Sequence, residues 1–305
     1  MRIVLNGQQA FGKSVLDALL EQGEEVIAVY GPPDKPGTPD DPVVAAARER
    51  GLPLFQPPSF KQPAVWEEFR GLKPDLCMMA YVTKIVPEDF LNIPTHGTFQ
   101  YHPSLLPRHR GPSSINWPII QGETRTGLSI FWPDNGLDTG PILLQREVEI
   151  GPDDSLGTVY FERLFPMGVS AMLESLELVK ADKAPRTAQD EGKATYEGWC
   201  REEDVAIDWT RPAADIHNLI RGADPQPGAW TEHAGTRLHL YDSRRDDKAS
   251  GEPGTVLAVS DAGLRIATGK GAVLVRRVRP AGGKKQSAVE YAQGRLTPGD
   301  RLGAA

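Results

Sequence analysis

Two kinds of apolar pattern alternate along the first half of the chain. Ile3-Val4-Leu5, Val26-Ile27-Ala28-Val29-Tyr30, Leu52-Pro53-Leu54-Phe55 and Leu76-Cys77-Met78-Met79-Ala80 are short apolar runs with polar or glycine flanks, the pattern of buried strands. The segments around 13–22 and 42–50 lie between them and have helical spacing. This alternation predicts an α/β domain of Rossmann-like type, a parallel sheet with helices on both faces. Gly97–Tyr101 continues the series, and Leu128–Trp132 and Ile142–Gln145 predict two further strands on either side of residue 138. A longer helix is expected from about Ser155 to Ala181, with Ser155 as its N-cap.

The pattern changes after residue 185. Residues 186–202 are polar and loop-like, which marks a linker between a domain at 1–185 and another at 203–305. The second region opens with a helical stretch near Ala213–Arg221. Its strand-like runs are short and separated by glycine-containing turns: Leu238–Tyr241, Thr255–Val259, Leu264–Ala267 and Ala272–Val275. They predict a small antiparallel, OB-like barrel.

Composition and charge narrow the chemistry. The net charge of −7 is uneven: residues 1–202 hold 19 Lys and Arg against 28 Asp and Glu, and residues 203–305 hold 15 against 13. Neither part has the strong positive balance of a phosphate-neutralising protein, so small-molecule chemistry is expected. No apolar run approaches the roughly 20 residues needed to span a bilayer, and the start lacks a signal-peptide pattern; a cytoplasmic protein without membrane contact is expected. The two cysteines, Cys77 and Cys200, lie far apart and suggest plain thiols, with no metal knuckle.

Gly7-Gln8-Gln9-Ala10-Phe11-Gly12-Lys13-Ser14 matches the phosphate-cradling pattern GxxxxGK[ST] between a strand and a helix. Phe11 is bulky for a loop that wraps phosphates, and no nearby strand ends in an obvious magnesium-holding aspartate. The dinucleotide pattern fails at Gln9, where its second glycine belongs. A tight strand-to-helix turn is the better reading, at most lending its amides to an anion. Stronger chemistry lies at His102, which ends a strand-like run where a parallel sheet presents its ligand crevice. Gln100, two residues earlier, faces the same side, supplying an amide beside a base. Asp138 sits in a stiff, glycine-rich loop, Trp132–Pro141, in which Asp134 reads as a turn former.

Tyr101–Gly111, Ile115-Asn116-Trp117, Ile130-Phe131-Trp132 and Gly136-Leu137-Asp138-Thr139-Gly140 resemble the formyl transferase family. Within that family the chain is most similar to the N-terminal hydrolase domain of 10-formyltetrahydrofolate dehydrogenase. The resemblance takes in Leu164-Phe165-Pro166, Ala194–Gly198, Ile207-Asp208-Trp209, Ile216–Gly222 and Pro227–Trp230, and covers Met1 to about Tyr241. It implies a folate domain followed by a barrel-like domain, with 10-formyltetrahydrofolate as formyl-donor co-substrate and His102 and Asp138 as the catalytic pair. It also implies that Ala80, Tyr81, Val82, Lys84, Ile85, Val86 and Pro87, together with Asp134, Asn135, Gly136, Leu137 and Asp138, enclose the pterin. The transferases carry Asn two residues before the histidine, the hydrolase domain an aliphatic residue, and this chain Gln100.

The expected reaction is formyl transfer to a small amine, or hydrolysis to tetrahydrofolate and formate. The Gly7–Gly12 turn and the Arg108–Arg110 loop are candidate holders of an anionic amine. No metal is expected, and with the sequence ending at Ala305 no NADP chemistry either. Methionyl-tRNA formyltransferase is the alternative within the family, disfavoured because Gly31–Asp41 is acidic where a basic loop would meet tRNA. A non-catalytic folate-binding protein is the alternative of another class.

Overall fold

The computed structural model describes residues 1–303, which form two compact units. One comprises Met1–Pro112, Gly127–Val148 and Arg163–Glu197; the other comprises Ser113–Thr126, Glu149–Glu162 and the chain from Gly198 onward. Each is assembled from separated stretches of sequence, and residues up to Glu197, in the polar segment expected to be a linker, belong to the first.

The chain begins β1 (Arg2–Gly7), α1 (Gln9–Glu21), β2 (Glu25–Tyr30), α2 (Pro42–Glu49), β3 (Leu54–Phe55), α3 (Pro63–Gly71), β4 (Leu76–Ala80), α4 (Glu88–Leu91) and β5 (Thr98–His102). It continues through α5 (Asn116–Ile120), β6 (Arg125–Phe131), β7 (Ile142–Glu149), α6 (Leu156–Val159) and α7 (Phe165–Lys180). The seven-stranded sheet has the order β3-β2-β1-β4-β5-β6-β7. The five strands from β3 to β5 in that order run parallel, and β6 runs antiparallel to β5. Alternation along each strand divides the apolar residues between two cores. Leu5, Phe99 and Tyr101 pack with Val15 and Leu16 of α1 and Met172 and Leu176 of α7, whereas Val4, Tyr30, Cys77 and Met79 pack with Phe69 and Phe90 on the other face. The α/β expectation therefore holds, with helices on both faces.

The helix expected over Ser155–Ala181 is present with a break in its winding. Ser155 caps α6 through a reciprocal pair of bonds with Thr158, Tyr160–Leu164 widens into a π turn, and α7 resumes at Phe165. Pro166 accounts for the change: it has no N–H to donate, and in a regular helix its ring would strike the carbonyl four residues earlier.

In the second unit, α8 (Ala213–Gly222) precedes β8 (Trp230–His233), β9 (Thr236–Asp246), β10 (Val256–Ser260), β11 (Gly263–Ala267), β12 (Ala272–Pro280), β13 (Gln286–Ser287) and α9 (Ala288–Ala292). The strands pair in the order β10-β11-β12-β9-β8, with β13 on β12, and the pairings are antiparallel as expected. Leu240, Val256, Ile266 and Val275 meet Ile216 and Ile220 of α8 in its core. His217, on the same helix, is buried and fully engaged: its Nε2 donates to the Pro152 carbonyl at 2.9 Å, leaving Nδ1 to accept from the Ser243 hydroxyl at 2.8 Å.

Candidate functional site

The strand order changes direction between β1 and β4, since the chain leaves β1 toward β2 and β3 and then returns to β1's other side. In such sheets the crevice for ligands lies at the carboxyl ends of the strands around that reversal. Gly7, Ala80 and His102 end β1, β4 and β5 there.

The Gly7–Ser14 turn is occupied by the protein itself. Added Cβ atoms at Gly7 and Gly12 would lie 3.0 Å from the Ala80 carbonyl oxygen and 3.1 Å from the Gly7 carbonyl carbon, so both glycines permit close strand–helix contact. Phe11 is a core residue whose ring stacks on Tyr101 at 4.3 Å between centroids. The Gln9 N–H, at the start of α1, donates to both Asp41 carboxylate oxygens at 2.9 Å, and the same carboxylate caps α2 by accepting from Val43 N–H at 3.0 Å. Lys13 is paired with Asp17 at 2.5 Å. The positive end of α1 thus already holds an anion, which removes this turn from the candidate holders of an anionic amine.

His102 and Asp138, 36 positions apart in sequence, meet in the structure: Nδ1 of the imidazole lies 3.6 Å from Oδ2 of the carboxylate, and both side chains are largely buried. The ring is anchored from its other side, where Nε2 donates to the His109 carbonyl at 3.0 Å. A carbonyl can only accept, so Nε2 carries the proton of this bond and Nδ1 is left facing the carboxylate. Asp138 Oδ2 accepts from the Gly111 N–H at 2.8 Å. Phe99 and Tyr101 turn toward the α1/α7 core, so Gln100 and His102 share the opposite face; in-register pairing puts Gln100 in one row with Asn6, Met79 and Phe131.

The loops carrying the pair are held from several sides. Ser129 of β6 accepts from Leu106 N–H and donates to the Ser104 carbonyl, and Gln145 of β7 donates to the Leu106 carbonyl and to Ser129. Left-handed backbone occurs at Tyr81, His109 and Asp138, with φ of 63°, 55° and 56°. Such conformations cost about 1–3 kcal/mol each and persist where surrounding contacts over-determine them. Gly111 is required by geometry as well as by its φ of 111°, because a Cβ there would sit 2.2 Å from the Glu197 carbonyl oxygen.

Arg110 is 1% exposed and committed internally, to Gln189, Glu191 and the Tyr196 hydroxyl, which removes its guanidinium from the candidate anion holders. Its bond to Glu191 holds the guanidinium above, and the Glu191 carboxyl below, their ordinary pKa values. Gln189 and Glu191 were not apparent from the sequence, whereas Tyr196 lies within the Ala194–Gly198 motif.

The two segments expected to enclose the pterin are linked, since the Asn135 amide donates to Glu88 just beyond Pro87. Tyr81, Ile85 and Leu137 are exposed apolar side chains, 42%, 77% and 57% accessible, on these segments. Ala80 and Val86 are buried in the two cores, so they have only main chain to offer. Lys84 donates to the Pro57 and Pro58 carbonyls, its pKa lowered by burial. Asp134 accepts from Gly136 N–H and from the Thr139 hydroxyl, confirming it as a turn former. A separate cavity of about 340 Å³, lined by His96, Gly97, Trp132 and Arg186, adjoins the start of β5 rather than its His102 end. Among the described residues no group of three His, Cys, Asp or Glu could hold a metal, and no helix is long and apolar enough to cross a membrane.

Residues 1–176 match the model for formyl transferase, and residues 200–296 match that for the formyl transferase C-terminal domain. The chain belongs to the formyl transferase family. Among family relatives, the mitochondrial 10-formyltetrahydrofolate dehydrogenase of Mus musculus is 39% identical over 305 residues, covering 95% of this chain and 33% of that protein. This chain therefore spans about a third of the length of that dehydrogenase. The methionyl-tRNA formyltransferase of Geobacter sulfurreducens is 38% identical over 311 residues, with 100% and 98% of the two chains covered. The same fold occurs in HypX from Aquifex aeolicus in complex with tetrahydrofolic acid, with a TM-score of 0.70, 20% identity, and coverage of all this chain and 51% of that one. It also occurs in WlaRD, a sugar 3N-formyl transferase, with a TM-score of 0.69, 17% identity, and coverage of 90% and 97%.

Proposed function

We propose that this protein takes the formyl group from 10-formyltetrahydrofolate and delivers it to a small amine or to water, using His102 and Asp138. The observation that carries the reading is the anchored imidazole: Nε2 is tied to a carbonyl while Nδ1 faces a carboxylate 3.6 Å away. The nucleophile forms a bond to the formyl carbon, and the carbonyl electrons move to oxygen, giving a tetrahedral oxyanion. Nδ1 accepts the proton that the nucleophile sheds. Collapse of the intermediate breaks the bond between the formyl carbon and N10, and Nδ1 returns the proton to the departing nitrogen. Asp138 stabilises the imidazolium between the two transfers, and the Gln100 amide donates to the oxyanion. Tyr81, Ile85 and Leu137 supply apolar surface for the pterin, a role their exposed side chains support.

The internal commitments of Gln9 N–H and Arg110 leave neither as support for an anionic amine over water. The acceptor is therefore assigned by experiment. The protein is incubated with 10-formyltetrahydrofolate, with and without amino sugars and amino acids, and tetrahydrofolate, formate and N-formyl product are measured. Formate release that no amine diverts establishes the hydrolase; absence of tetrahydrofolate formation under every condition refutes the reading. A second reading, formylation of methionyl-tRNA, is favoured by end-to-end similarity to a methionyl-tRNA formyltransferase. Against it, the acidic loop before α2 has its carboxylates Asp34 and Asp40 paired with Arg48, and it offers no basic face to a phosphate backbone. Methionyl-tRNA added as acceptor separates the two.

A further inference from the structure

We propose that Gln189 is a positioning residue for the His102–Asp138 pair, and that residues 187–197 act as a strap joining the two catalytic loops. The inference rests on the formyl-transfer reading above. The Gln189 amide donates both its N–H bonds to the Asp138 loop, to the Asp138 carbonyl at 2.8 Å and the Gly140 carbonyl at 2.7 Å. Its oxygen accepts from the other loop, from Arg110 Nε at 3.2 Å and Nη2 at 2.8 Å. Two donors and two lone pairs are thus all used, and one side chain joins both loops.

Arg110 is locked in turn. Nη1 and Nη2 donate to the two Glu191 oxygens at 2.9 and 2.6 Å, Nη1 also donates to the Tyr196 hydroxyl, and all five N–H bonds have an acceptor. The main chain repeats the connection. Arg110 N–H donates to the Thr195 carbonyl at 3.0 Å, Glu197 N–H donates to the Arg110 carbonyl at 3.1 Å, and His109 N–H donates to the Thr195 hydroxyl at 2.8 Å. Thr187 exchanges main-chain bonds with Ile142, where β7 begins after the Asp138 loop.

The consequence for the site is specific. Asp138 stands in left-handed backbone, and the two Gln189 donors grip the carbonyls at that residue and two residues beyond it. Through Arg110 the same amide is tied to the residue before Gly111, whose N–H donates to the Asp138 carboxylate. Without Gln189 the backbone at 138 relaxes and the carboxylate drifts from Nδ1, although the Gln189 hydrogen bonds reach neither the Asp138 carboxylate nor the imidazole. Displacements of about 1 Å in such constellations cost about 10²-fold in rate.

The test uses the full chain with 10-formyltetrahydrofolate, comparing Gln189→Leu, Gln189→Glu and, as a control outside the strap, Lys183→Gln at an exposed side chain. Gln189→Glu keeps the length and polarity of the side chain but loses both donors, so it remains informative if Gln189→Leu does not fold. The expected result is a fall in kcat of about 10- to 100-fold with KM changed by less than about threefold, and wild-type kinetics for the control. Faster hydrogen exchange at Gly111 N–H, with β1 amides unchanged, is expected in the same variants. Unchanged kcat, or a loss confined to KM, overturns the positioning role. A wild-type chain that never turns over the folate overturns the functional reading instead, and this inference with it.

Discussion

Two glycine-marked sites lie at the carboxyl edge of the same sheet, and they differ in what their donors and acceptors face. At Gly7–Ser14 the helix N-terminus is filled by Asp41, Lys13 by Asp17, and Phe11 by the core. At the His102 and Asp138 loops, bonds to His109 and Gly111 anchor both side chains, yet His102 Nδ1 and the Asp138 carboxylate lie 3.6 Å apart, beyond hydrogen-bond distance of each other. The comparison teaches that a motif specifies a backbone shape, whereas chemistry depends on which polar atoms the rest of the fold leaves for a substrate. GxxxxGK[ST] describes the first site correctly as a turn and misdescribes it as a cradle.

Removing the pair is expected to have the largest effect. His102→Ala and Asp138→Ala should each lower tetrahydrofolate formation by about 10²–10⁴-fold, and retention of more than a tenth of the wild-type rate would erase the distinction between the sites. Some loss of stability accompanies His102→Ala, because the ring is 5% exposed and hydrogen-bonded rather than lying on an open loop. Gly12→Ala should cost about 1–3 kcal/mol in denaturant unfolding, from overpacking against main chain, with kcat retained. Tight ATP binding by the wild type, abolished in Lys13→Ala, would reverse the assignment. Asp41→Ala should cost about 0.5–2 kcal/mol as a lost cap, and inorganic phosphate should then raise the Tm of the variant but not of the wild type. No difference between them would mean that Asp41 does not close the turn.

The smallest effect concerns His217 of the second unit. Burial lowers the pKa of His217 from its ordinary 6.5, so the folded state resists protonating it and the unfolded chain binds that proton first. Stability contributed by neutral His217 is present above pH 6.5 and is lost as pH falls through the lowered folded value. Thermal unfolding followed from pH 8 to pH 5 should show this loss, reduced in His217→Asn; an unchanged acid limb in the variant would place the sensitivity elsewhere.

Much of the fold was readable from local pattern, because strands such as Leu76–Ala80 are buried on both faces and appear as unbroken apolar runs. The proposed His102–Asp138 pair was readable because each residue sits inside a long, stiff motif, and the structure brings the two side chains within 3.6 Å. Gln189 and Glu191 were not: a polar stretch has the same composition whether it is solvated or clamped to a buried arginine 79 to 81 residues away. The closure of the Gly7 turn was hidden likewise, since Asp41 reaches it across 32 positions. The π turn had a local signal in Pro166, but helical periodicity continues through it and masks the change of winding. Trp230–His233 escaped because four residues are too few to establish a period.

The partner that fixes the tautomer of His102 is the main-chain carbonyl of residue 109, and every amino acid has one. Substitution at position 109 can change the ring there without deleting the acceptor. A side-chain anchor, such as the aspartate behind many catalytic histidines, can be lost in one mutational step. In this chain the orientation of the imidazole is insulated from drift in its own loop, so surrounding side chains can diverge while the ring keeps the same nitrogen turned toward Asp138.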